Sequence, residues 1–254
     1  MPMEAPTTAV AGETHTLTVQ IGASAAPLKL ALPAGELPPE AVLPTLNTLV
    51  DAVVRQAITA AEAKGRTMSC QSGCAACCRH LALVSDVEAR ALADLVERMP
   101  EPRRGQLRAR FAAARRRIQD SGLSERIAAA TTASAQDLRA LGRDYFRQAI
   151  DCPFLEDERC SIYADRPVVC RRMIATTPAA YCADPDDDRV RLLRVPMSAA
   201  ALWLLTSDDD PPRPTAMPLP FALAWAEANR SAVPRRGADV WMRRFVERLA
   251  KAQG

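Results

Sequence analysis

The cysteines carry the clearest chemical signal in this chain. All eight of them fall into two blocks. The first block holds Cys70, Cys74, Cys77 and Cys78, and the second, after a gap of about seventy residues, holds Cys152, Cys160, Cys170 and Cys182. Thiols at two- and three-residue spacing, in a chain that begins without an export signal, favour thiolate ligation of a soft metal over disulfide pairing. We therefore predict a metal-binding protein in which all eight cysteines are candidate ligands.

The spacing within the first block limits how these thiols can be shared. Cys70, Cys74 and Cys77 lie on a stretch short enough for three sulfurs to converge on one ion or cluster. Adjacent side chains diverge in either regular backbone conformation, so Cys77 and Cys78 are not expected to join the same ligand set. One of that pair should face a second site or a ligand from the other block. The sequence thus favours a metal site that ties the two blocks together.

The number of thiols bears on the identity of the metal. Eight thiolates exceed the four that a structural zinc needs, which favours an iron–sulfur cluster, [4Fe–4S] in the first instance, over zinc. The triad Cys70-x3-Cys74-x2-Cys77 also has the spacing of radical S-adenosylmethionine enzymes. Their fold needs strands that alternate with helices after the triad. Here helical patterns follow one another, which disfavours that class.

The residues around the cysteines extend the pattern. They read Gly73-Cys74-Ala75-Ala76-Cys77-Cys78, Cys152-Pro153-Phe154-Leu155, Cys160-Ser161-Ile162-Tyr163 and Arg166-Pro167-Val168-Val169-Cys170-Arg171. In order, spacing and flanking residues they resemble the family of zinc- or iron-chelating cysteine-cluster proteins (CxxCxxCC, YkgJ-like), over Cys70 to Cys182. The resemblance implies a shared iron–sulfur or zinc site. A distant relative within that broader family resembles the flagellin lysine N-methylases, which implies a cluster-dependent protein-modifying enzyme as the alternative function.

Charged and imidazole side chains near the cysteines are the next candidates. Arg166 and Arg171 bracket Cys170, where guanidinium groups would offset the charge of thiolates around a metal, although both could equally be surface arginines. The chain has two histidines, His15 and His80. His80 follows the first block, and we interpret it as a surface or partly buried imidazole rather than a ligand.

Apolar residues of the second block have a simpler interpretation. We expect Phe154, Ile162 and Tyr163 to pack locally and shield the site. The run Asp184-Pro185-Asp186-Asp187-Asp188 lacks the glycine and terminal glutamate of a calcium loop and indicates a polar turn.

Hydrophobic periodicity places the blocks between helices. Thr14 to Ile21 alternates apolar and polar residues, and Leu28, Leu30 and Leu32 repeat that period, which predicts an N-terminal β-hairpin. The helical patterns cover Leu46 to Ala61, Ser85 to Met99 with a capping box, Arg103 to Ile118, Leu138 to Ala149 capped by Ser134, Leu219 to Asn229, and Val240 to Leu249. Asp151 to Pro185 has several prolines and no long period, apart from one helical turn at Val168 to Met173.

These elements predict a mainly α fold: a helical domain with an inserted, loop-rich cysteine knuckle and an N-terminal β-hairpin. We expect residues 1–39 to form the hairpin and a proline-rich connector, and residues 40–254 to form the cysteine-cluster domain with its core motif at 70–182. Each cysteine block should be delivered by the helix before it.

Composition excludes several other classes. The net charge is +3 against 33 basic and 30 acidic residues, which gives no basis for nucleic-acid binding by the whole molecule. The arginine-rich helix from Arg103 to Ile118 has no interleaved aromatic residues, so we interpret it as a solvated face. No apolar run is long enough to span a membrane, and the N-terminus lacks a secretory signal, so we expect a cytoplasmic protein. A protein partner and an enzymatic reaction are left open.

Overall fold

The computed structural model describes residues 14–21, 24–71, 73–209, 212–230 and 233–251. The helices are α1 (Leu43–Glu62), α2 (Asp86–Glu97), α3 (Arg103–Asp120), α4 (Ser124–Ala128), α5 (Ala135–Arg147), α6 (Val168–Arg172), α7 (Ala200–Trp203), α8 (Ala222–Ala228) and α9 (Ala238–Lys251). The strands are β1 (Thr14–Ile21), β2 (Ser24–Ala31), β3 (Glu36–Leu37), β4 (Leu83–Ser85), β5 (Leu155–Glu156), β6 (Arg159–Cys160), β7 (Ala216–Pro218) and β8 (Arg236–Gly237). The mainly α fold is confirmed.

The strands form only small antiparallel pairs. β1 pairs with β2 from Thr14 opposite Ala31 to Ile21 opposite Ser24, which confirms the predicted hairpin, although its turn residues Gly22 and Ala23 lie outside the described residues. β3 pairs with β8, β4 with β7, and β5 with β6. The short strands β3 to β8 and the helices α4 and α7 carry too few residues for a periodic pattern, and the sequence did not predict them.

Helix α1 shows how the sequence determines the long elements. Its apolar positions recur every three or four residues and form one buried face. Gly65 ends the helix region with a backbone φ of 75°, a left-handed conformation that glycine adopts without strain. The N–H of Arg66 then donates to the carbonyl of Ala61 at 3.1 Å, which satisfies a terminal carbonyl. The chain leaves this turn directly into the first cysteine block.

Three apolar clusters make up the core. The first joins α1, α9 and residues 193–205 with Leu30 and Leu32, so strand β2 packs onto the same core as α1. The second joins α2, α3 and residues 217–222, and the third joins the second half of α3 with α4 and α5. The division of the chain at residue 39 stays a prediction.

The second cysteine block is held between two of these clusters. Phe154 and Ile162 are buried in the second cluster and Val168 in the first. The predicted helical turn is present as α6, while a small β5–β6 hairpin precedes it. The knuckle is therefore anchored by apolar side chains at several points, more firmly than its proline content indicated.

Candidate metal centre

The first block is a compact loop that ends in a tight turn. Gly73 has a φ of 87°, and it reverses the chain between Cys70 and Cys74. A 3₁₀ turn over Ala76–Arg79 then carries Cys77 and Cys78. The N–H of Cys78 donates to the carbonyl of Ala75 at 2.8 Å, which closes this turn. As a result, all four cysteines of the block lie within one short, curled segment.

The second block distributes its cysteines over four local elements. Cys152 directly precedes the β5–β6 hairpin, Cys160 ends β6, Cys170 lies in α6, and Cys182 lies in the 3₁₀ turn Ala179–Ala183. All eight cysteines of the chain are free thiols. Each is therefore chemically able to act as a ligand.

Backbone hydrogen bonds hold the two blocks against each other. The N–H of Cys152 donates to the carbonyl of Cys78 at 2.8 Å. The N–H of Ala175 donates to the Sγ of Cys70 at 3.1 Å, and the N–H of Ser69 donates to the carbonyl of Ala175 at 2.9 Å. Contacts at both ends of the first block thus bring it alongside the second, although more than seventy residues separate the two blocks in the chain.

Arg79 adds an ionic contact between the blocks. Its guanidinium binds both carboxylate oxygens of Glu158, at 2.7 and 3.0 Å, and its Nε lies 3.0 Å from Asp151. Glu158 lies in the β5–β6 turn, where its φ of 55° is left-handed. Since Arg79 follows Cys78 and Asp151 precedes Cys152, this contact fixes the position of those two cysteines relative to each other. Sequence reasoning missed Arg79, because both of its partners are remote in the chain.

The thiols influence one another electrostatically in two groups. Burial raises the pKa of Cys70 and of Cys182, and neighbouring thiols of the first block, Cys74 and Cys77, act in the same direction on both. We call Cys70, Cys74 and Cys182 the Cys70 group. Burial also raises the pKa of Cys152, to about 12, with Cys160 and Cys77 adding to the shift. Cys77 therefore acts on members of both blocks.

The second group contains the more buried thiols. Burial raises the pKa of Cys170 well above its usual range, and Cys152 and Cys77 reinforce that effect. Cys78 is influenced by Cys152 and Cys160 in turn. We call Cys78, Cys152, Cys160 and Cys170 the Cys152 group. Desolvation and mutual repulsion between thiolates oppose ionisation here, and a bound cation would reverse both effects.

The Cys77 and Cys78 thiols influence each other's ionisation. Hydrogen bonding from Cys78 lowers the pKa of Cys77 to about 7, and the same interaction raises the pKa of Cys78. The adjacent side chains can meet because Sγ is one rotatable bond from the backbone and the 3₁₀ turn brings successive residues close together. Whether the two sulfurs serve one ligand set or two stays a prediction.

The donor set fits a soft metal in its chemistry. All eight cysteines are free thiols, and thiolate is the ligand that zinc, copper(I) and iron–sulfur clusters prefer. Within the described ranges, no three side chains of cysteine, histidine, aspartate or glutamate converge closely enough to hold an ion as they stand. The thiols would therefore have to rotate inwards around a metal.

The charged residues near the thiols have different roles. Arg171 is buried and donates to the carbonyl of Arg166 at 2.9 Å and to the carboxylate of Asp51 at 2.7 Å, so it supports the backbone rather than the sulfurs. Arg166 is the arginine whose positive charge favours ionisation of the Cys77 and Cys160 thiols. Of the two arginines that were expected to offset thiolate charge, only Arg166 acts on the thiols in this way.

The residues that flank the cysteines match their predicted roles only in part. The imidazole of His80 is half-buried, packs on Phe146 with ring centroids 4.7 Å apart, and has its Nε2 3.3 Å from the carbonyl of Cys182, so the interpretation as a partly buried histidine is confirmed. Phe154 and Ile162 are buried as expected. The prediction that Tyr163 packs locally and shields the site is wrong, because its side chain is 63% exposed.

The arginine-rich helix α3 packs by its apolar side. Its predicted stripe is buried, and most of its arginines are bound by carboxylates or carbonyls. That this face has no specific affinity for nucleic acid stays a prediction. No helix in the described part of the chain is long and apolar enough to cross a bilayer.

The fold and the donor set define a class: a helical protein with two adjoining cysteine-rich blocks, whose free thiols could chelate metal. Comparison with known families agrees, because the model of the CxxCxxCC family, described as "Putative zinc- or iron-chelating domain", matches residues 69–187. This match spans all eight cysteines and slightly less than half of the chain. Residues 69–187 are therefore similar to the domain of that family. Neither the curated proteins nor the solved structures gave a match.

Proposed function

We propose that this protein binds metal through thiolates of both cysteine blocks in one shared centre. The observation that carries the proposal is the pair of hydrogen-bonded contacts between the blocks, at Cys78 with Cys152 and at Cys70 with Ala175. Such contacts hold the cysteine-bearing segments of remote parts of the chain alongside each other. All eight cysteines are the proposed ligands.

We further propose an iron–sulfur cluster as the bound group, with zinc as the alternative. Eight thiols in two adjoining groups exceed the needs of one tetrahedral zinc site. An iron–sulfur cluster would supply one-electron chemistry, and its potential would depend on charge and hydrogen bonds around the sulfurs. Arg166, whose charge favours the thiolate forms of Cys77 and Cys160, is the residue placed to provide that charge.

The chain's own residues would position and shield this centre. The Arg79 contact keeps the Cys78 and Cys152 segments together, and buried Phe154 and Ile162 close off the inner side. Reduced thiols are needed throughout, which favours the cytoplasm as the place of action.

Metal content of single-cysteine variants tests the shared centre. We would measure metal per chain in anaerobically purified Cys70→Ser, Cys77→Ser and Cys170→Ser, with Ser69→Ala as the matched control that keeps every thiol. Cys77→Ser should lose the most metal, because Cys77 influences thiols of both groups, and double variants should lose less than the sum of the singles. Additive losses confined to each block would contradict one shared centre.

Absorbance identifies the bound group. An iron–sulfur cluster gives broad visible absorbance and acid-labile sulfide together with iron, whereas zinc gives neither. Colourless protein with stoichiometric zinc after anaerobic purification from iron-supplemented cells would contradict the iron–sulfur proposal and leave the shared centre standing.

A further inference from the structure

Residues 176–191 form a surface loop whose two ends are tied together. The N–H of Thr176 donates to the carbonyl of Arg191 at 2.8 Å. Next to this bond, the N–H of Leu193 donates to the carbonyl of Ile174 at 2.7 Å, and Leu193 is buried in the first apolar cluster. The ends of the loop are therefore fixed to the core, and the segment between them has the form of an Ω-loop. We call it the Cys182 loop.

The Cys182 loop has no apolar attachment to the rest of the protein. None of its residues is buried, and none of the three apolar clusters includes a residue from 176–191, all of which the structure describes. Its internal contacts are different in kind: Arg189 binds the carboxylate of Asp187 at 2.7 Å and stacks on the ring of Tyr181 at 3.9 Å. Segments that bury so little apolar surface are the ones that open at low cost in free energy.

The tip of this loop lies against the first cysteine block. Cys182 is part of the 3₁₀ turn Ala179–Ala183, which contacts the 3₁₀ turn Ala76–Arg79. The thiol of Cys182 is also influenced electrostatically by three thiols of the first block. The loop thus contributes one thiol to the proposed metal centre from outside the core.

Polar contacts hold the tip in this position. The Nε2 of His80 lies 3.3 Å from the carbonyl of Cys182. Arg147 of α5 binds the carboxylate of Asp186 at 2.6 Å, and the Nε of Arg143 lies 3.6 Å from the same carboxylate. These three charged side chains are between 42% and 54% exposed. Exposed ion pairs contribute little to stability and are screened by salt, so the Asp186 ion pairs hold the loop only weakly.

The other cysteines lie within a few residues of apolar anchors. In the first block, Met68 packs on the first apolar cluster and Ala75 is buried. In the second block, buried Phe154, Ile162 and Val168 each lie two residues from a cysteine. Among the described segments that carry cysteines, the Cys182 loop alone has no buried residue. Its thiol can therefore move away from the others without disrupting the core.

We propose that the Cys182 loop is a lid on the metal centre, which opens when the Asp186 ion pairs break and so controls how fast metal enters and leaves. Opening breaks the bond between the Cys182 thiolate and the metal, and water or an incoming chelator takes that coordination position. The inference rests on the proposed metal centre, but not on which soft metal is bound.

The rate of metal release tests the lid. The full chain, with the metal it holds after anaerobic purification, is mixed with excess EDTA, and the metal left on the chain is measured over time. Arg147→Gln and Asp186→Asn should each speed release by about two- to fivefold, the factor that the loss of an exposed ion pair corresponds to. Arg126→Gln is the matched control, because it breaks an exposed ion pair with Asp144 of α5 that does not involve the loop. It should release metal at the wild-type rate.

Salt supplies a second comparison with the same variants. Raising sodium chloride to about 1 M should speed release from the wild type and from Arg126→Gln, because the ion pairs are then screened. Asp186→Asn should respond much less, since its ion pairs are already absent. An equal response to salt in Asp186→Asn and Arg126→Gln would contradict the proposal.

Hydrogen exchange in metal-free protein, followed by mass spectrometry, measures opening without metal. Arg147→Gln and Asp186→Asn should speed exchange within residues 176–191 and leave exchange in α1 unchanged, which shows that the chain stays folded. Loop exchange or metal release at the Arg126→Gln rate, with normal metal content, would overturn the lid. A wild-type chain that holds no metal would instead defeat the proposed centre, so the two failures are distinguishable.

Discussion

Glu88 links helix α2 to the second cysteine block, and its removal should be among the most damaging substitutions. Its carboxylate is 5% exposed. One oxygen accepts from the backbone N–H of Ser85 at 2.8 Å and from the Ser85 hydroxyl at 2.9 Å, and the other accepts from the backbone N–H of Val168 at 2.8 Å. A residue of the capping box therefore also fixes the start of α6, two residues before Cys170.

The size of the effect follows from those bonds. Glu88→Ala leaves two buried backbone N–H groups without an acceptor, each of which costs about 1–3 kcal/mol, so the free energy of unfolding should fall by about 2–6 kcal/mol. Glu88→Gln keeps one amide oxygen but turns an NH2 group towards the other N–H, so it should cost about 1–3 kcal/mol.

Urea unfolding followed by circular dichroism measures these differences. Asp137→Ala is the matched control, because Asp137 holds the same position after the capping residue Ser134 but is exposed. It should cost only about 0.5–1 kcal/mol, since water satisfies the freed groups. If Glu88→Ala costs no more than Asp137→Ala, the contact with Val168 does not stabilise the fold, and the reasoning is refuted.

Further predictions concern the backbone, the charge and the contact between blocks. Gly73→Ala should destabilise by about 1 kcal/mol because its φ of 87° is left-handed, whereas Gly142→Ala, in open space on α5, should stabilise by up to about 1 kcal/mol in the same unfolding assay. Burial raises the pKa of Asp86, so its contribution to stability is present below the pKa of the unfolded chain and is lost as pH rises through the folded pKa. Unfolding free energies from pH 4 to 7 should therefore shift in favour of Asp86→Asn relative to wild type, and a constant difference would contradict this. Arg79→Ala should cost about 1 kcal/mol and also lower metal affinity, whereas Arg108→Ala, which breaks an exposed ion pair on α3, should leave metal affinity unchanged. Equal metal affinity in both variants, measured by chelator competition, would show that the Arg79 contact does not position the cysteines.

The long helices and the segment that matches the chelating-domain model could be predicted from the sequence. Local periodicity placed α1, α2, α3, α5 and α9 within a few residues of their observed bounds, because burial of one helical face repeats every three to four residues. The capping serines Ser85 and Ser134 gave two of the starts, since their side chains bond to backbone groups three residues away. Cysteine spacing indicated the chelating domain that the family match covers.

Contacts between remote segments could not be predicted in this way. The bidentate bond of Arg79 to Glu158 and the bond of Glu88 to Val168 each join residues whose proximity depends on how helices pack. The mutual influence of the adjacent Cys77 and Cys78 thiols is a local feature, but it lies in a 3₁₀ turn that has no sequence period.

The sequence by itself therefore determined the ligand chemistry and the long helices, because thiol identity and helical burial are local properties of the chain. The tertiary structure decided which thiols influence one another and which arginines are paired. Those features arise only when segments more than seventy residues apart pack against each other.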